Sequence, residues 1–123
     1  MVRKKRVLHE SPIAGRFVCD STWEKQFAVW ADEHGLDYRR NKRGFRYYNI
    51  LKKRRKYRRY YPDFKLSEGL YVEVKGYESI VDRFKWSAFP HELIILRRDQ
   101  IESLDDMDVE DLLRFVLKKG KRS

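Results

Sequence analysis

The chain has 123 residues, 41% of them hydrophobic and 39% charged, with 29 Lys and Arg against 19 Asp and Glu for a net charge of +10. That length and apolar content predict one domain with one core and exclude a chain disordered throughout. The single cysteine, Cys19, excludes an intrachain disulfide, and no apolar run approaches bilayer-spanning length, so the expectation is a soluble, intracellular protein without a membrane partner.

Residues 1–19 are expected as a basic, irregular N-terminal arm, with no apolar stretch of the kind that marks a secretory signal. Trp23, Phe27, Trp30 and Ala31 then follow helical spacing, with Ser21 as N-cap and Gly35 as C-terminal stop, so the spacing predicts a helix over 22–34. Residues 36–41 are expected as a short strand. "FRYYNIL" and "KYRRYYPDFKL" read as aromatic-rich strands around an exposed "KKRR" tip, and "LYVEVKG" as the next strand. "SIVDRFKWSAF" reads as a helix opened by Ser79 and Asp82 in a capping-box pattern. "ELIILRR" is a nearly continuous apolar strand, as expected when both sheet faces are covered. "DQIESL" suggests one helical turn, and "DVEDLLRFVLKKG" a final helix capped by Asp108 and ending near Gly120. The order predicts an α/β sandwich with a mixed sheet flanked by helices, an α-β-β-β-α-β core plus a C-terminal helix. Its parts are the arm at 1–19, a core at 20–98 and a helical extension at 99–123.

The positive charge is concentrated. Residues 39–59 carry 12 Lys and Arg and no acid, which leaves 17 basic residues elsewhere against all 19 acids. Arg39, Arg40, Lys42, Arg43, Arg46, Lys52, Lys53, Arg54, Arg55, Arg58 and Arg59 form a field suited to a polyanion, and Lys85 is a further candidate phosphate contact. The interleaved Tyr47, Tyr48, Tyr57, Tyr60 and Tyr61 are available for stacking on bases, or for ordinary packing within the sheet. A solvated, charged edge hairpin is the plainer reading, but solubility needs fewer charges than this. His9, His34 and His91 are scattered without metal-ligand spacing, which argues against a zinc site.

With Ser67, Glu68 and Gly69 as a three-residue loop, Leu66 is expected opposite Leu70, Phe64 opposite Val72, Asp63 opposite Glu73 and Tyr61 opposite Lys75. Phe64, Leu66, Leu70, Val72 and Val74 then share an apolar face, while Asp63, Glu73 and Lys75 share the other. Two carboxylates opposed across neighbouring strands lie about 5 Å apart at Cβ and repel. A divalent cation between them reverses the sign, and Mg²⁺ takes one or two carboxylates while keeping its other positions for water and phosphate oxygens. Lys75, two residues beyond Glu73, leaves the same face, where an ammonium stabilises charge on a phosphate.

"PDF" at residues 62–64 followed by "EVK" at 73–75 resembles the signature of the PD-(D/E)XK, or restriction-endonuclease-like, nuclease superfamily, and the element order over roughly residues 21–98 resembles its common core. "YYPDF" and "VEVKGY" are similar to the corresponding segments of small phage junction-resolving, homing and transposon-end endonucleases. The resemblance implies a restriction-endonuclease-like fold and hydrolysis of DNA to 5′-phosphate and 3′-hydroxyl ends. It implies Asp63 and Glu73 as metal ligands, the Val74 carbonyl as a further ligand, and Lys75 as the catalytic lysine. The cofactor implied is Mg²⁺, with Mn²⁺ as substitute. Glu24 matches the first-helix acid that reaches the metal in many members, although Ser21 and Glu24 also make a capping box. A homodimer is expected if both strands are cut, and a separate recognition partner is one route to selectivity, since no base-reading helix is evident. Structure-selective cutting of branched DNA and homing or transposon-end cutting remain the two uses. The alternative is a non-catalytic nucleic-acid-binding module on a degenerate nuclease fold.

Overall fold

The computed structural model describes residues 5–49, 56–67 and 69–117. The chain opens with a β-hairpin, β1 (Val7–Ser11) and β2 (Gly15–Cys19), where the sequence suggested an irregular arm. Gly15, at φ +82°, closes its turn, and inward-facing His9, Phe17 and Cys19 fix its inner face. Apolar Leu8 and Val18 facing outward, and His9 facing inward, had hidden the alternation. The hairpin is tied to the first helix through Asp32, whose carboxylate accepts from Ser11 Oγ at 2.5 Å and Tyr38 Oη at 3.0 Å and lies 2.7 Å from His9 Nε2.

Helix α1 (Thr22–Glu33) begins where expected: Ser21 Oγ accepts from the Glu24 amide. It ends in a Schellman turn, with Gly35 at φ +63°, the Leu36 amide on Ala31 O and the Gly35 amide on Asp32 O. Phe27, Ala28, Trp30 and Ala31 are buried beneath it.

Strands β3 (Arg39–Arg40), β6 (Phe64–Ser67), β7 (Leu70–Val74), β8 (Glu92–Leu96) and β9 (Val116–Leu117) form one five-stranded sheet in the order β3-β6-β7-β8-β9. The β7–β8 pair is parallel and the other three are antiparallel. Among the described residues, strands β4 (Phe45–Asn49) and β5 (Lys56–Tyr60) pair only with each other, as a separate ribbon that falls between β3 and β6 in the sequence. "KYRRYYPDFKL" is therefore two strands: Tyr61, Pro62 and Asp63 carry the chain from the ribbon to the main sheet, and Tyr61 does not pair with Lys75. Phe64 faces Val72 as expected. The register then shifts by one residue, so that Ser67 rather than Leu66 opposes Leu70.

Alternation along β7 and β8 feeds two cores. Val72, Val74, Ile94 and Leu96 pack with α1, Phe17, Tyr38 and Phe64. Tyr71, Leu93 and Ile95 pack on the opposite face with Phe45 and Tyr60 of the ribbon, and with Trp86 and Phe89 of helix α2 (Ile80–Ala88) and its cap. Leu93, Ile94, Ile95 and Leu96 are all buried, which follows from a strand with neighbours on both edges and layers on both faces.

Beyond β8 lie α3 (Arg98–Glu102), a 3₁₀ turn (Leu104–Asp106) and α4 (Val109–Leu113). The expected long final helix is a single short one. Asp108 caps it as read, but Val116 and Leu117 leave it to pair with Ile94 and Leu93, covering the free edge of β8. The expected helix stop at Gly120 and the ribbon tip at 52–55 lie outside the described residues. Among the described residues no helix is long and apolar enough to cross a membrane.

Candidate active site

The site lies at the end of β7, on the face shared with α2 and the ribbon. Asp63 stands one residue before β6, just past the Phe64–Val72 pair. Its backbone is held by the end of β3: the Asn41 amide donates to Asp63 O at 3.0 Å and Asn41 Nδ2 to Pro62 O at 2.8 Å. The Asp63 side chain accepts from the Val74 amide at 2.8 Å, which draws the carboxylate to the strand that carries Glu73. Val74 itself is buried in the α1-side core.

Glu73 is only 8% exposed, an acid in a row otherwise made of Tyr71 and apolar neighbours. Its Oε1 accepts from the Tyr60 hydroxyl at 2.9 Å. Burial pushes its carboxyl up to about 7, against the opposing pull of that hydrogen bond and of Lys75 and Lys85. Asp63 is raised well above the ordinary carboxylate range, by burial first, then by the charges of Glu73 and Glu24; the Val74 amide and Arg40 pull the other way. Three carboxylates thus bear on one another in a poorly solvated place, an arrangement that costs stability unless positive charge is supplied.

Part of that charge is built in. Arg40 Nη1 lies 2.6 Å from Glu24 Oε1, and its Nη2 lies 3.2 Å from Asp20. Glu24 Oε1 also accepts from the Asp20 amide, so the first-helix acid serves both its helix start and an ion pair. Lys75 follows β7, its amide bonded to Leu96 O at 2.9 Å, and its ammonium lies 3.4 Å from Asp82 Oδ1. Lys85 reaches the same oxygen at 3.2 Å. Gly76 comes next, and a Cβ there would overlap the Trp23 ring, so the backbone after Lys75 is packed directly on α1.

The structure therefore gathers Asp63, Glu73, Lys75, Glu24 and Lys85 in one region. It divides the expected nucleic-acid contacts. Arg43, Arg46, Arg58 and Arg59 are exposed, as is Lys42. Arg40 is not free to meet phosphate, because its guanidinium is committed to Glu24 and Asp20. Arg39 donates to Ile13 O and Tyr38 O. Lys52, Lys53, Arg54 and Arg55 lie outside the described residues. Two residues escaped the sequence reading. Tyr60 was one of several tyrosines suited to stacking or packing, and Asp82 was read only as a helix cap. Lys85 three residues after Asp82 was the available signal for the second.

Asp63 and Glu73 suit Mg²⁺ as a donor set: hard carboxylate oxygens, one half-buried and one buried, both with raised carboxyls. Among the described residues no three His, Cys, Asp or Glu side chains form a ready metal cage.

Comparison with protein-family models, with curated proteins and with solved structures gave no match.

Proposed function

We propose that the protein is a Mg²⁺-dependent DNA endonuclease of the PD-(D/E)XK type. The observation that carries this reading is the raised carboxyls of half-buried Asp63 and buried Glu73, with the charges of Lys75 and Lys85 bearing on Glu73, at the root of a basic ribbon. The succession α1, β3, β6, β7, α2, β8, with one parallel pair between β7 and β8, supports a restriction-endonuclease-like core in which the ribbon is an insertion.

Asp63 and Glu73 would hold the ion, with the Val74 carbonyl as a further oxygen. Bound there, it supplies Lewis acidity to a phosphate oxygen and lowers the pKa of a ligated water. The rest falls to the chain. Lys75 stabilises negative charge developing on the phosphate. Tyr60 orients Glu73. Attack of water on phosphorus with cleavage of the P–O3′ bond, the departing 3′-oxygen taking a proton from solvent, would give 5′-phosphate and 3′-hydroxyl ends.

The ribbon supplies the DNA path. Arg46 lies directly opposite Arg59, and the Arg46 guanidinium sits 4.1 Å from the Tyr57 ring centroid. Opposed arginines on an exposed ribbon are unfavourable in isolation and favourable against a polyanion. The exposed Tyr57 beside them offers a stacking surface. A homodimer would bring two such sites to the two strands.

A second reading, a nucleic-acid-binding module without catalysis, is favoured by one observation: Arg40 already neutralises Glu24. Incubating the protein with supercoiled plasmid and with a four-way junction, in Mg²⁺ and in EDTA, separates the two. The nuclease reading expects cutting only with Mg²⁺ and none by Lys75→Ala, which still binds DNA. Binding without cutting under every metal condition supports the module.

A further inference from the structure

Asp82 has more acceptor capacity than its helix cap uses. It is the N3 residue of α2, and its Oδ2 accepts from the Ser79 amide at 2.8 Å and from Ser79 Oγ at 3.0 Å, which completes the capping box. The cap makes no use of Oδ1. That oxygen faces Lys75 Nζ at 3.4 Å and Lys85 Nζ at 3.2 Å, and the side chain is only 7% exposed. The two lysines are themselves withdrawn from solvent, at 24% and 22% exposure. Long cationic side chains ordinarily keep to water, so two of them converging on one buried carboxylate is a specific arrangement.

The cluster closes on the proposed catalytic acids. The Lys85 ammonium lies 5.4 Å from the Tyr60 ring centroid, and the Tyr60 hydroxyl bonds Glu73. Lys75 follows the strand two residues beyond Glu73, and its charge bears on the Glu73 carboxyl. Contacts thus run from Lys75 through Asp82, Lys85 and Tyr60 to Glu73 along one side of the site.

We propose that Asp82 is a positioning residue for the nuclease site: its free carboxylate oxygen fixes the ammonium of Lys75 and draws Lys85 in as a second cation facing the substrate phosphate. This inference rests on the nuclease reading. Without the carboxylate, two neighbouring ammonium groups repel and Lys75 loses its fixed direction. A displacement of about 1 Å in a catalytic group costs up to about 100-fold in rate. Helix capping alone demands only an acceptor at this position, and the capping box accepts Glu and Gln alike.

That difference supplies the test. Asp82→Gln keeps an acceptor for the cap and removes the charge, whereas Asp82→Glu keeps both. The rate of the cutting step in Asp82→Gln is expected to fall about 10- to 100-fold with DNA affinity within twofold, and Asp82→Glu to recover most of it. Equal rates in Asp82→Gln and wild type, or equal losses in the Gln and Glu variants, would overturn the proposal and leave Asp82 a helix cap. NMR detection of lysine ammonium protons reads the tether without any cleavage, with Lys75→Ala and Lys85→Ala assigning the signals. Slowly exchanging Lys75 and Lys85 signals that vanish in Asp82→Gln and persist in Asp82→Glu would support the tether even if the wild type cut no DNA, an outcome that removes the nuclease reading alone. Their persistence in Asp82→Gln overturns the tether.

Discussion

The Tyr60 hydroxyl donates to Glu73 Oε1 at 2.9 Å, and this bond joins the root of the basic ribbon to the acid at the end of the central strand. Tyr60 also packs with Phe89, at 5.6 Å between ring centroids, so the ring is anchored while its hydroxyl is spent on the site. Tyr60→Phe should keep the packing and strip Glu73 of a donor. The expected loss is about 1–3 kcal/mol of stability at pH 8, where Glu73 is charged. At pH 5, where Glu73 holds its proton, the loss should shrink. Urea unfolding of both proteins at the two pH values measures it, and a pH-independent loss would show that the Tyr60 hydroxyl does not act through the Glu73 charge.

The wild type carries its own pH signature. Glu73 is held near 7 in the folded chain against an ordinary 4.5, and Asp63 is raised as well. Between those values the folded state binds more protons than the unfolded one, so stability is full below about pH 4.5 and falls as pH rises through 7. For Glu73 the fall is up to about 3 kcal/mol. Asp82 runs the other way: burial raises its carboxyl, but the Ser79 amide and Lys75 lead the groups that bring it below its ordinary value, and its contribution is lost only as pH drops below the usual aspartate range. Denaturation midpoints should therefore be higher at pH 5 than at pH 8. A midpoint that rises from pH 5 to pH 8 contradicts the raised carboxylates.

Gly76→Ala probes the backbone behind Lys75. The added methyl meets the Trp23 ring, which is held between α1 and the sheet, so one of the two must move. Overpacking of this kind costs about 1–3 kcal/mol, and the displaced strand end carries Lys75 with it. The expected result is a lower melting temperature together with a larger fractional loss of cutting than of DNA binding. Unchanged melting would mean that the Trp23 ring yields freely.

The ribbon makes a prediction in salt. If Arg46 and Arg59 each neutralise a phosphate, the double change to Gln should flatten the slope of log affinity against log salt by about 2. Fluorescence anisotropy across a salt series measures it. An unchanged slope sends the DNA elsewhere on the surface.

Where local chemistry decides structure, the sequence was readable. Ser21 and Gly35 bound the first helix, Ser79 and Asp82 open the second, and the Leu93–Leu96 run predicted a strand buried on both faces. The pairing of Phe64 with Val72 came out as expected although the turn did not: Ser67 opposes Leu70, and the shift between Lys65 and Ser67 restores the count. Distant pairing was not readable. Val116 and Leu117 continue a helical pattern in sequence, and only the free edge of β8 recruits them as a strand. The ribbon and β6 look like one continuous aromatic strand until Tyr61, Pro62 and Asp63 are seen to turn it between sheets. At the site, motif spacing picked out Asp63, Glu73 and Lys75. It was blind to Arg40 on Glu24 and to Asp82 between two lysines, because both depend on elements brought together by the fold.

The central claim is that Asp63 and Glu73 together hold a divalent ion, and calorimetric titration of Mn²⁺ in the presence of a non-cleavable duplex tests it most directly. Wild type should bind the ion with saturating heat, and the Asp63→Asn, Glu73→Gln double variant should lose that binding while remaining folded and able to bind the duplex. Equal metal affinity in the two proteins would contradict the account.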